Sequence, residues 1–201
     1  MSINNLFGVT FELMVNSTLI NSLSSTSTKL PNKTFIAKQL NSTPKKLGLT
    51  NFEVEDLVVK ALDNFNFECN NLFENILQEK NDDSLDDKAT IFTREVIKIL
   101  LKKPNLAHIL SCNNCYSKVE FSNKVNDINT SIYFIYKRIF NSLNDKFSSA
   151  CARIYTDLLN GIFLNISRNI ANETHQGLIT EIEAEINNEI NLLKVLMKKL
   201  T

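Results

Sequence analysis

His108, Cys112 and Cys115 stand in an H-x3-C-x2-C spacing, and one imidazole with two thiolates can supply three of the four ligands that tetrahedral zinc takes. No fourth ligand follows nearby, so the same residues also fit a helix end with free thiols or a redox Cys-x-x-C pair. Asp82, Asp83, Asp86 and Asp87 crowd one short stretch and read as a solvated loop or a patch for a basic partner. There is no glycine-rich phosphate loop, and the acids of Asp82–Asp87 read as solvated rather than as a catalytic pair. The expectation is therefore a protein that is not an enzyme, with no cofactor and no small-molecule substrate. Cys69 and Cys151 fall on apolar stripes and are expected in the core.

The elements that carry these residues follow from composition. With 201 residues and 43% hydrophobic content, the chain can bury a real core in one domain or two small ones. Gly 4, Pro 3 and Trp 0 argue against a sheet protein punctuated by tight turns, and helix is expected instead. The 22 basic and 22 acidic residues cancel, so no global field draws nucleic acid or an acidic membrane. Locally the balance shifts: residues 51–100 are rich in acids, residues 101–150 in bases. The stretch from Leu13 to Phe52 has no acid and carries Lys29, Lys33, Lys38, Lys45 and Lys46. Met1 to Val15 lacks a basic start and contains Glu12, unlike a signal peptide, and no apolar run reaches membrane-spanning length. A soluble, intracellular protein is expected.

Residues 16–30 are biased toward Ser, Thr and Asn, whose side chains compete with the backbone for hydrogen bonds, and suggest a flexible N-terminal arm over residues 1–30. From Asn51 the helical period predicts one long amphipathic helix through Val58, Leu62, Phe65, Cys69, Phe73 and Ile76. Asn81–Asp87 is expected next as a loop or short extra turn, followed by an extended patch at Ala89–Phe92. Thr93 would then cap a short helix ending before Pro104. A helix of about three turns is expected over Ser131–Leu143, and Ser148 as the cap of a second long helix with the stripe Cys151, Ile154, Leu158, Ile162, Ile166 and Ile170. After Gly177, a short extended patch at Leu178–Ile179, a capping box of Thr180 and Glu183 and a final helix from Ile182 to Leu200 complete the chain. Asn70-Asn71-Leu72-Phe73-Glu74-Asn75-Ile76 returns as Asn160-Gly161-Ile162-Phe163-Leu164-Asn165-Ile166, so the long helix is written twice.

Short helix, long helix, extended patch and short helix, in this order, resemble the histone fold. Ala89-Thr90-Ile91-Phe92-Thr93-Arg94-Glu95-Val96 is similar to the entry into the third helix of histone two-B, and Leu72-Phe73-Glu74-Asn75-Ile76 to the same histone's Ile-Phe-Glu-Arg-Ile. Ser131-Ile132-Tyr133-Phe134-Ile135-Tyr136-Lys137 resembles its first helix. The resemblance covers roughly residues 34 to 200 and implies an all-α histone doublet, as found in some large DNA viruses and prokaryotes. Its first fold would span residues 31–118 and its second, with a terminal helix, residues 119–201. The two would pack as an intramolecular handshake with Phe73 and Phe163 in the core, each fold covering the apolar face of the other.

The same resemblance implies a protein that compacts or wraps double-stranded DNA without sequence preference, gripping its phosphates at helix ends. Lys45 and Lys46 would join the loop of His175 at one end, while Lys146 would join Lys88, Thr90 and Arg94 at the other. Lys137 and Arg138 would lie near the middle. Another histone-fold protein or doublet would complete a particle in a nucleus, nucleoid or virion, with no membrane partner. Zero net charge departs from the strongly basic histones and implies weaker, more salt-sensitive binding. The alternative is a histone-fold interaction subunit of a transcription or chromatin complex with little direct DNA contact.

Overall fold

The computed structural model describes residues 32–39, 41–51, 53–79, 84–111 and 119–170, with six isolated helical, exposed positions at Ala184, Asn187, Asn188, Asn191, Leu192 and Val195. Among the described residues the protein is all helical, without a strand. The helices are α1 (Lys33–Gln39), α2 (Val54–Glu79), α3 (Leu85–Lys102), α4 (Pro104–Ser111), α5 (Val119–Ile139) and α6 (Asp145–Ile170). No described helix is long and apolar enough to cross a membrane. The expected N-terminal arm, the first three residues of the loop or turn expected at Asn81–Asp87, the Leu178–Ile179 patch, the capping box at Thr180 and Glu183 and most of the final helix lie outside the described residues, while Leu85–Asp87 form the first turn of α3.

Local chemistry sets the helix ends. Asn32 caps α1 through Oδ1, which accepts from the Phe35 N–H at 2.8 Å. The helix stops where Asn41 takes a left-handed φ of 49°, letting the Ser42 N–H reach the Ala37 carbonyl at 2.8 Å. At the start of α2 the Asp56 carboxylate reaches back to the Glu53 N–H at 3.0 Å, half of a capping box. Ser84 caps α3, accepting from the Asp87 N–H at 3.2 Å, and Asp86 and Asp87 complement the dipole in the first turn. Pro104 opens α4, where its missing N–H costs nothing.

Three expectations are corrected here. Ala89–Phe92 is not extended: α3 runs unbroken for 18 residues, because Ser84 provides a cap nine residues before Thr93. Thr93 lies inside the helix, its hydroxyl donating to the Ala89 carbonyl at 2.7 Å. The helix before the second long one has 21 residues rather than three turns. Its inner face continues upstream through Phe121, Val125 and Ile128, all buried, between polar residues that weaken the pattern. Finally, α6 starts three residues before Ser148. Asn144 Oδ1 accepts from the Phe147 N–H at 3.1 Å and serves as the cap, while the buried Ser148 hydroxyl donates to the Lys137 carbonyl at 3.2 Å.

The two long helices have 26 residues each, and the repeated heptapeptide occupies the C-terminal half of both. Phe73 and Phe163 are completely buried. One continuous core joins α2 through α6. Helix α5 runs alongside α2 in the same direction, since Lys124 pairs with Asp63, Asn70 donates to Ser131 at 3.4 Å, and Arg138 pairs with Glu74 at 3.1 Å. After a turn at 140–144, α6 returns against α5 and also packs on α4. The long helices themselves meet edge-to-face at Phe65 and Phe163, 6.4 Å between ring centroids. Burying aromatic groups of this size contributes roughly 2–3 kcal/mol per side chain.

Candidate functional site

A cluster of interior polar and aromatic groups forms where α3, α5 and α6 meet. Tyr136 and Tyr155 stack with centroids 5.2 Å apart, and Phe92 and Phe140 close the sides at 5.3 Å and 5.6 Å. Thr93 Oγ1 lies 2.7 Å from the Tyr136 hydroxyl. Because the single Thr93 proton already goes to the Ala89 carbonyl, the phenol donates to it. Tyr155 donates to Asp86 Oδ1 at 2.5 Å, tying the first turn of α3 to the middle of α6. These bonds satisfy hydroxyl groups that would be costly to bury bare.

The environment keeps this cluster protonated. Burial pushes the Tyr136 phenol up; burial and then the Asp86 carboxylate do the same to Tyr155. Burial, reinforced by Glu68, raises the Cys69 thiol, and burial raises the Cys151 thiol as well. Both cysteines are buried, as their place on the stripes implied, and neither is in a disulfide. At neutral pH none of these groups is a thiolate or phenolate, so they act as packing and hydrogen-bonding groups rather than as nucleophiles.

The residues that the histone resemblance assigned to phosphate contact are scattered in environment. Lys45 and Lys46 are exposed on the turn after α1, a turn shaped by Thr43 Oγ1 accepting from the Lys46 N–H at 3.3 Å and by Gly48 at φ +69°. Arg94 and Lys146 are also exposed. Lys88 and Thr90 are buried on α3, Thr90 to 1%, because the continuous helix turns this part of α3 toward the core. Lys137 pairs with Asp145 at 2.9 Å, a hydrogen-bonded contact that raises the lysine above its ordinary range. Arg138 pairs with Glu74 and lies 4.5 Å over the Phe73 ring. His175 lies outside the described residues.

Cys112 and Cys115 lie outside the described residues too. His108 sits on α4 with Nδ1 2.8 Å from Ser167 Oγ of α6, and burial pushes its pKa down. No group of three or more His, Cys, Asp or Glu able to hold a metal occurs among the described residues. The sequence reading missed the Asp86–Tyr155 and Thr93–Tyr136 bonds, which have no local signature because their partners lie 69 and 43 residues apart. It also placed Ile154 on the buried stripe, yet Ile154 is 39% exposed. At 100° per residue the core side is centred on Tyr155, Leu159 and Phe163, and Ile154 falls on the far side. In comparisons with known proteins the chain matches no family model, no curated protein and no solved structure.

Proposed function

We infer that the protein is an all-helical protein-interaction module, of the kind a histone-fold subunit provides in a transcription or chromatin complex, with little direct DNA contact. The state of its basic residues carries this reading. Lys88 and Thr90 are buried, and Lys137 and Arg138 are engaged by Asp145 and Glu74. Exposed ion pairs add little stability, but exchanging each for a phosphate contact forfeits part of the electrostatic gain that drives DNA binding. Lys45, Lys46, Arg94 and Lys146 are the exposed remainder of the expected set, on a chain of zero net charge. Meanwhile Phe67 and Phe134, 66% and 54% exposed, flank the seam between α2 and α5. Aromatic groups displayed in this way suit contact with another protein.

A DNA-compacting histone doublet is the second reading, and the repeat favours it: the same motif lies at matching places in two helices of equal length. The unbroken α3, and the packing of α6 mainly on α4 and α5, weigh against a handshake centred on the two long helices. Either module would act within a protein–DNA assembly, in a nucleus, a nucleoid or a virion. Retardation of duplex DNA at about 50 and 200 mM salt tests the choice. The interaction module gives at most faint binding at the lower salt and none at the higher. Firm binding at the lower salt that weakens about 10³-fold or more at the higher, the slope of six or more phosphate contacts, would overturn it.

A further inference from the structure

Helix α6 buries one side, with Ala152, Tyr155, Leu159 and Phe163 at its centre. Its opposite side is open to solvent along about 32 Å, at 1.5 Å per residue. That side carries apolar groups among its charged ones. Phe147, Ile154 and Leu164 are 48%, 39% and 39% exposed. With the exposed Ala150, Asp157 and Gly161 they recur at alternating steps of three and four, the spacing of a seam that meets another helix. Gly161 sharpens the point. Glycine weakens a helix interior, and a Cβ here would meet nothing within 4 Å, so nothing among the described residues requires it.

We propose that this face pairs antiparallel with the same face of a second copy of the chain, across a twofold axis near Asp157. Counting outward from Asp157, Ile154 and Gly161 lie at nearly equal distances on either side, as do Ala150 and Leu164. Antiparallel pairing therefore sets each large side chain against a small one of the other copy, Ile154 over Gly161 and Leu164 over Ala150. At the ends, Phe147 meets Arg168 of the second copy, a cation over an aromatic ring. The two Asp157 carboxylates come together near the axis, where Arg153 of the opposite copy, one turn away, offsets their repulsion. Neither Arg153 nor Asp157 makes an ion pair among the described residues, and both are exposed. A parallel pairing would stack Ile154 on Ile154, Gly161 on Gly161 and Arg168 on Arg168, losing both kinds of fit. The twofold axis makes every favourable contact twice.

One helix pair is a small interface, so the dimer should dissociate at roughly 1–100 μM. Sedimentation equilibrium across that range should show the mass rising from the 22.9 kDa of one chain toward twice that value. Gly161→Leu fills the space that Ile154 of the second copy needs, so it should abolish association while leaving helix content intact and raising the thermal midpoint. Arg153→Asp and Asp157→Arg should each weaken association about tenfold, and the double variant should restore it to within roughly threefold by exchanging the charges. A wild-type chain that stays monomeric up to about 1 mM, or a Gly161→Leu chain that still dimerises, overturns the proposal. Failure of the charge exchange to restore association overturns the antiparallel register.

Discussion

The outer faces of α2 and α6 occupy corresponding positions in the two copies of the repeat, yet they differ in chemistry. Displaced by 90 residues, Ala150, Ile154, Gly161 and Leu164 of α6 correspond to Lys60, Asn64, Asn71 and Glu74 of α2, and all eight are exposed. The inner faces agree instead, Phe73 matching Phe163 and Ile76 matching Ile166, all buried. The fold thus requires the inner pattern and tolerates a polar outer one. The apolar groups on the outer face of α6 are not demanded by packing among the described residues. On α2 the margin facing α5 is held by Asp63 and Glu74 in ion pairs, with Phe67 as the apolar exception.

The largest expected effect tests the shared inner face. Phe73→Ala and Phe163→Ala should each cost about 3–5 kcal/mol in denaturant unfolding; a cost below about 1 kcal/mol at either would break the equivalence of the two copies. The next effect separates them, since only α6 carries Tyr155 and its bond to Asp86. Tyr155→Phe should cost about 1.5–3 kcal/mol as a hydrogen bond to a charged acceptor is lost. It should also change the response to alkali. Because the folded-state pKa of Tyr155 is raised above its ordinary value of 10.0, its contribution is fully present below that pH. It is lost as pH rises through the folded-state value. The variant should therefore lose stability less steeply than the wild type above pH 10, as followed by unfolding at fixed denaturant. The smallest effect compares how the helices begin: Asn144→Ala at α6 and Asp56→Ala at α2 should each cost about 1 kcal/mol. Ser148→Ala should leave the start of α6 unchanged in amide hydrogen exchange; fraying back to residue 148 would return the cap to that serine.

Much of the architecture was legible because apolar period is a local signal. The stripe from Val58 to Ile76 and the place of the repeated motif could be read directly, as could burial of Cys69 and Cys151. Where two caps compete, local reading fails. Thr93 and Ser148 are good cap residues by type, but Ser84 and Asn144 came first and the helices ran on from them. The same continuous α3 turns Lys88 and Thr90, assigned to phosphate contact by position on a histone template, toward the core. The outer seam of α6 was present in the spacing of Phe147, Ala150, Ile154, Gly161 and Leu164. A richer apolar stripe on the same helix masked it, and only solvent exposure separates the two.

The claim that one copy of the repeat keeps its outer face for a partner is tested most directly by giving α6 the residues of α2. A chain carrying Ala150→Lys, Ile154→Asn, Gly161→Asn and Leu164→Glu should fold with unchanged helix content and sediment as a single 22.9 kDa chain at concentrations where the wild type is dimeric. Equal masses for the two proteins at every concentration would contradict the account.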